Sequence, residues 1–234
     1  MNTCEAAQRS VVAVIPAYNA GERIAATVAG LAGRVDAVWV VDDGSKDETA
    51  ALARDAGARV VSQRRQGPGG AVLAGLRAAR DDGAAIAIVV DADGQMDPAR
   101  IPALLAPILE GQADLCRGDR LARPGEGDTM PWLRRRAANG LAGPASFCAG
   151  QPIQDPLSGF VALRLSHLPA ALWPGFGYPL HLAAAVSGAG GRIAHVPVPA
   201  RYPADGVSHH GLHRAPSVLG ALVSAARARL ASGR

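Results

Sequence analysis

Four short runs rich in branched aliphatic residues, at 11–15, 35–41, 58–62 and 84–90, recur along the first half of the chain. Between them lie segments with apolar residues at helical spacing, at 22–31, 48–56 and 71–79, and a fourth such segment follows at 98–110. Strands that alternate with helices of this length predict βαβ units. Right-handed crossovers then predict a Rossmann-like, mostly parallel sheet flanked by helices, a fold of the α/β class. In such sheets ligands sit outside the carboxyl ends of the strands. Residues 16–19, the pair Asp42 and Asp43, and residues 91–95 all follow predicted strands, so three polar clusters distant in sequence are expected to line one crevice. Ser45 or Asp47 is positioned to cap the helix at 48–56, since a short oxygen-bearing side chain satisfies free helix N–H groups.

The run at 84–90 ends in Asp91-Ala92-Asp93-Gly94-Gln95. Side chains two apart in an extended segment point the same way, and two carboxylates aimed at one point repel unless a cation lies between them. Hard divalent ions such as Mg²⁺ or Mn²⁺ take such oxygens and draw further ligands from a substrate diphosphate. Gln95 would add a carbonyl oxygen or orient a metal-bound water. The plainer alternative is a solvated turn with two surface aspartates.

Composition narrows the class. Apolar residues make up 49% of 234 residues while aromatics make up 4%, which implies an aliphatic core of one α/β domain. No apolar run reaches membrane-spanning length, and residues 1–10 lack the apolar segment of a secretion signal. Cys4, Cys116 and Cys148 are scattered and odd in number, which fits neither a disulfide framework nor a zinc site. A cytoplasmic protein is expected. The net charge of +4 is carried almost wholly by arginine, with Lys46 the single lysine. Arginine suits bidentate phosphate recognition, whereas aromatic platforms and nucleic-acid motifs are missing, so no nucleic-acid partner is expected.

The second half is less regular. Arg117, Arg120, Arg123, Arg134, Arg135 and Arg136 fall in a Gly- and Pro-containing stretch that reads as a loop running into a basic-faced helix. A compact turn at 155–160 precedes a short strand at 161–163; another strand is expected at 193–198 and an amphipathic helix at 216–230.

Val-Ile-Pro-Ala-Tyr-Asn, Val-Asp-Asp-Gly-Ser-x-Asp-x-Thr, Gly-x-Gly-Gly-Ala-x-x-x-Gly-Leu and Asp-Ala-Asp-x-Gln occur here in order, followed by Gly118-Asp119-Arg120 and Asp155-Pro156-Leu157-Ser158-Gly159-Phe160. Together they resemble glycosyltransferase family 2, with the A-type glycosyltransferase fold, and within it the dolichyl- or polyprenyl-phosphate mannosyl- and glucosyltransferases. The resemblance spans about residues 11–214. It implies inverting transfer of a sugar, such as mannose from GDP-mannose or glucose from UDP-glucose, to a polyprenyl phosphate with Mg²⁺ or Mn²⁺. Pro16, Ala17 and Tyr18 would wall the base pocket, Asp42 would accept from base N–H groups, and Asp43 would touch ribose. Gly67, Gly69 and Gly70 would let backbone approach the nucleotide, which Ala92 also lines. Asp91, Asp93 and Gln95 would hold the metal, and Arg120 would face the phosphates. Asp155 would act as general base or order the site; an ionised phosphate acceptor needs little base help. Arg201, Ser208, His209 and His210 correspond to an Arg and Gly-x-Ser-Lys loop over the diphosphate, with histidine where that pattern has lysine. Arg134 and Arg135 lie where an acceptor would enter, and with the final helix they predict peripheral contact with an anionic membrane.

These readings divide the chain into a tail at 1–10, a catalytic domain at 11–215 (nucleotide half 11–117, acceptor half 118–215) and a terminal helix at 216–234. Three rivals stay open: a sugar nucleotidyltransferase, disfavoured because no basic glycine-rich loop follows the first strand; a non-catalytic nucleotide-sugar-binding protein; and the same transfer to a soluble or glycan acceptor.

Overall fold

Strands apolar on both faces need cover on both faces, and the chain supplies it. A computed structural model describes residues 10–122, 129–199 and 215–231. Among them seven strands form one sheet: β1 (Val11–Ala17), β2 (Ala37–Asp42), β3 (Arg59–Ser62), β4 (Ile86–Val89), β5 (Leu115–Asp119), β6 (Val161–Arg164) and β7 (Ile193–Pro197), in the order β3-β2-β1-β4-β6-β5-β7. All neighbours are parallel except β6, which runs antiparallel to both β4 and β5. The helices are α1 (Gly21–Leu31), α2 (Thr49–Asp55), α3 (Pro68–Asp81), α4 (Ile101–Leu109), α5 (Trp132–Ala149), α6 (Tyr178–Gly188) and α7 (Ala215–Ala231).

The period of two decides which residue meets which layer. Val12 and Val14 of β1, with Ala87 and Val89 of β4, join Val72 and Leu76 of α3 and Leu182 and Val186 of α6. Ala13, Ile15, Ile86 and Ile88 face the other way, onto Ile24, Val28 and Leu31 of α1 and Leu104 and Ile108 of α4. Each such fully buried Val, Leu or Ile contributes roughly 1.5–3 kcal/mol.

β1 continues two residues past the expected stop, through Pro16, which is in register with Val41. The reason lies in the hydrogen-bond directions. Val14 O accepts from Val90 N on the β4 side, while Ala17 O accepts from Asp43 N on the β2 side. Pro16, two residues after Val14, therefore turns its missing N–H toward β4, whose pairing with β1 has already ended at Val89. No ladder bond is lost. The expected helix at 98–110 is a 3-10 turn, Pro98–Arg100, followed by α4. The division drawn at 117/118 falls inside β5, and one sheet runs through both halves.

The order β2-β1-β4 places the reversal of winding between β1 and β4, the point at whose carboxyl edge sheets of this kind bind ligands. Because β6 is antiparallel, its start lies at that same edge: Val161 is level with both Val89 and Arg117. The turn before β6 is thereby delivered beside the ends of β4 and β5. No helix among the described residues is long and apolar enough to cross a membrane.

Candidate active site

The loops after β1 and β2 are laced together. Asn19 N donates to Ser45 Oγ and Lys46 N to Asn19 Oδ1, both at 2.9 Å, and Ala20 N donates to Thr49 Oγ1 at 2.8 Å. Asn19 holds a positive φ of 50°, a conformation asparagine tolerates better than most residues. Asp47 accepts from Thr49 N at 3.1 Å, so of the two cap candidates it is the one that meets α2. Ser45 Oγ is taken by the Asn19 loop instead. Asp42, level with Ala17, accepts from Ser45 N at 3.0 Å. Asp43 is 4% exposed and accepts from Gln63 Nε2 at 2.8 Å, Gln66 N at 2.7 Å and Gly67 N at 2.8 Å. Three donors within the chain thus use both its oxygens, and its evident task is to fold the loop before α3. Tyr18 carries the Arg65 guanidinium over one ring face, 3.7 Å from the centroid, a cation–π contact.

The glycines of that loop admit the chain itself. A Cβ on Gly69 would stand 1.9 Å from Trp173 O, and one on Gly67, where φ is +89°, 2.6 Å from Pro174 O. Gly69 N donates to Pro174 O at 2.8 Å. Gly70 faces the Gln66 side chain. Close approach is required at Gly67 and Gly69, as expected, but the segment that approaches is 173–174.

Asp91 and Asp93 leave the sheet directly after β4. Asp93 Oδ1 accepts from Gln95 N at 3.0 Å, and Asp91 N donates to Met96 Sδ at 3.3 Å. Ala92 is 9% exposed and belongs to the core on the α1 side. Asp91 faces the turn before β6: a Cβ on Gly159 would lie 3.3 and 3.4 Å from the two Asp91 oxygens and 2.8 Å from the Tyr178 hydroxyl. Burial first, and then the Asp91 charge, raise the Tyr178 phenol well above its ordinary pKa, so it stays protonated.

Asp155 is fully buried and joined to Arg120 at two points, Nε to Oδ2 at 2.7 Å and the terminal nitrogen to Oδ1 at 3.1 Å. Arg120 N adds 3.2 Å to Oδ2, and Leu157 N 3.2 Å to Oδ1. Burial raises the carboxyl, but the charge and hydrogen bonds of Arg120, with the charge of Arg117, outweigh it and hold Asp155 below the ordinary carboxylate value. Arg117, read from the sequence as the start of a basic loop, lies instead within β5 and is 0% exposed. It donates to Pro179 O at 2.7 Å and Asp155 O at 2.8 Å, tying β5 to the Asp155 turn and to the first turn of α6. Burial lowers its pKa to about 10, against the attraction of Asp155, so it remains a cation at neutral pH. Its signal in the sequence was a charge amid residues otherwise suited to a buried strand, Leu115-Cys116-Arg117-Gly118.

Arg135 is partly buried and donates to Arg120 O at 3.2 Å and Ala122 O at 3.3 Å. It braces the end of β5 against α5. The side chain of Arg134 lies outside the described residues, as do Arg201, Ser208, His209 and His210; β7 ends at the carboxyl edge, at Pro197.

Among the described residues no three His, Cys, Asp or Glu side chains gather closely enough to hold a metal by themselves. The donors that follow β4 are hard carboxylate oxygens, suited to Mg²⁺ or Mn²⁺ rather than to a soft ion. Beside them the Tyr178 hydroxyl is buried without a hydrogen-bond partner. Such a donor set is of a kind that fits a divalent cation.

Residues 12–168 match the model of Glycosyl transferase family 2. The chain belongs to that family. This glycosyltransferase is 34% identical over 194 residues to an uncharacterized glycosyltransferase of Mycobacterium tuberculosis, covering 81% of this chain and 84% of that one. It is 33% identical over 193 residues to the dolichyl-phosphate hexose transferase of Haloferax volcanii (80% and 81% covered). It is 30% identical over 181 residues to the UDP-N-acetylglucosamine–dolichyl-phosphate N-acetylglucosaminyltransferase of Methanococcus voltae (69% and 72% covered). These relatives support the polyprenyl-phosphate branch that the motifs resemble. Among solved structures it is similar to glucosyl-3-phosphoglycerate synthase from Mycobacterium tuberculosis in complex with Mn²⁺, UDP-glucose and phosphoglyceric acid, with a TM-score of 0.69, 26% identity and coverage of 95% of this chain and 82% of that one.

Proposed function

We propose that this glycosyltransferase moves a hexose, with inversion, from a nucleotide-diphosphate sugar to the phosphate of a polyprenyl phosphate. The observation that carries the reading is the meeting of Asp91, Gly159 and Tyr178 at the edge where Arg120 and Asp155 also stand. A carboxylate pair suited to a cation and an arginine suited to phosphate at the same edge of the sheet support this reading.

Asp42 accepts from the base, and Pro16, Ala17 and Tyr18 wall it, with one Tyr18 face already braced by Arg65. Asp91 and Asp93, helped by Gln95, hold Mg²⁺ or Mn²⁺. The cation offsets the charge that grows on the departing nucleoside diphosphate. Arg120 keeps part of its side chain open, 22% exposed, while its other edge is fixed to Asp155; that leaves a preset guanidinium for phosphate oxygens. Asp155 orders the site. A carboxylate saturated by donors and held below its ordinary pKa is a weak base, and an ionised phosphate acceptor needs no strong one.

A lipid acceptor is favoured over a soluble one by the names of the dolichyl-phosphate relatives, and by α5, whose first turn exposes Trp132 and Leu133 beside the exposed Arg136. The soluble reading is kept because glucosyl-3-phosphoglycerate synthase has been solved with a small phosphate-bearing acid. Incubation of the protein with Mn²⁺, a panel of UDP- and GDP-sugars, and either a short polyprenyl phosphate in detergent or phosphoglycerate decides between them. Sugar appearing in the lipid phase supports the proposal. Transfer to phosphoglycerate alone overturns the acceptor, and hydrolysis or transfer of none of the donors overturns the chemistry.

A further inference from the structure

Tyr178 opens α6 with its side chain 4% exposed and its hydroxyl paired with nothing among the described residues. A buried tyrosine hydroxyl ordinarily finds a partner. This one is held in place from behind: Arg117 binds Pro179 O, the next carbonyl along the chain, at 2.7 Å. In front of it stands Gly159, and beyond that glycine's missing Cβ are both oxygens of Asp91. The absence of a side chain at 159 thus keeps a gap between one donor and one carboxylate.

A carboxylate that gives one oxygen to a cation is oriented by a hydrogen bond to the other, and loss of such a support typically weakens metal binding about 10- to 100-fold. We propose that Tyr178 is a positioning residue for Asp91, its hydroxyl donating across Gly159 to one carboxylate oxygen when the other engages a divalent cation. This rests on the cation site proposed above. It adds that the site is completed from the acceptor-side helix: α6 and β4 share one core, but the bond from the Tyr178 hydroxyl to Asp91 forms only in the loaded state.

The test uses Mn²⁺ as the probe, in the presence of UDP, followed by electron paramagnetic resonance on the full chain, with melting measured without metal. Tyr178→Phe is expected to melt at or above the parent temperature, since the hydroxyl it removes has no bond to lose, and to bind Mn²⁺ about 10- to 100-fold more weakly. Asp91→Asn is the reference, and the double variant is expected to be no worse than Asp91→Asn alone, since the two residues act through one contact. Should Asp91→Asn lose Mn²⁺ while Tyr178→Phe keeps the parent affinity, the inference falls and the cation site stands. Should the parent itself bind no Mn²⁺ with UDP, both fall.

Discussion

Arg120 grips Asp155 edge-on, two nitrogens to two oxygens, with the carboxylate wholly buried and the guanidinium still partly exposed. The pairing bridges β5 to the turn before β6, two segments that only the antiparallel insertion of β6 brings together. Arg117 reaches the same turn from below through Asp155 O. One buried carboxylate therefore faces two cations, one of them wholly buried and the other 22% exposed. This asymmetry suits a residue that orders a site more than one that takes a proton.

Breaking the pair from the acidic side should be costly. Asp155→Asn leaves Arg117 buried without its compensating charge, and removal of one partner of a buried pair costs about 3–5 kcal/mol. The pH dependence has a definite sign. The folded pKa of Asp155 lies below its ordinary value of 3.8, so the folded state releases the proton more readily than the unfolded chain. Its stabilisation is complete above 3.8 and is lost as pH falls from there through the depressed folded value. Melting temperature followed from pH 6 down to pH 2 should show this acid-labile component in the parent and lack it in Asp155→Asn.

Asp91→Asn and Asp93→Asn should each lower turnover by 100-fold or more, on the order of 3 kcal/mol of lost transition-state stabilisation, while shifting the melting temperature by little. Both lie past the end of β4 and are partly exposed, so neither supports the core. UDP or GDP release in the presence of Mn²⁺ measures the first effect, calorimetry the second. Near-normal turnover in either variant would remove that residue from the cation site.

Asp42 and Asp43 are adjacent yet should fail differently. Asp42→Ala removes an acceptor proposed for the base and should weaken nucleoside diphosphate binding by about 1.5–3 kcal/mol, the worth of a hydrogen bond to a charged group. Asp43→Ala removes the acceptor of Gln66 N and Gly67 N, both part-buried bonds, and should lower stability first, by about 0.5–1.5 kcal/mol for each bond lost. Titration calorimetry with UDP and GDP, alongside urea unfolding, separates the two.

The sheet, and the acidic residues that follow β2 and β4, were legible because branched aliphatic runs and acidic strand ends are local signals. What escaped was set by tertiary contact. Helix α6 gave no amphipathic stripe, since Tyr178, Leu180, Leu182, Ala183 and Val186 bury it widely. Residues 67–70 were read as a nucleotide loop because glycine freedom looks the same whatever approaches. The approaching backbone at 173–174 lies a hundred residues away. Gly69→Ala tests that reassignment. A methyl at 1.9 Å from Trp173 O forces the segment apart, and overpacking of this kind costs about 1–3 kcal/mol. Urea midpoints should fall accordingly even without nucleotide.

The tip of α5 carries the last prediction. Trp132 and Leu133 are 68% and 64% exposed, and they sit beside arginines on a helix that Arg135 bolts to Arg120 O. A tryptophan with adjacent basic residues suits the headgroup region of a bilayer. A lipid phosphate lying at that surface would then be level with Arg120. Co-sedimentation with vesicles of mixed neutral and anionic lipid should show binding that weakens as salt rises, because the Debye length shrinks from about 10 Å at 0.1 M to about 3 Å at 1 M. Arg136→Ala should weaken binding about fivefold, the equivalent of about 1 kcal/mol per arginine near an anionic surface. Trp132→Ser should weaken it in a salt-independent way, since the ring binds by burial and not by charge. Neither change should alter transfer to a short polyprenyl phosphate in detergent. Equal activity of all three proteins on that acceptor, together with no vesicle binding by the parent at low salt, would leave the sugar transfer standing and remove the membrane from it.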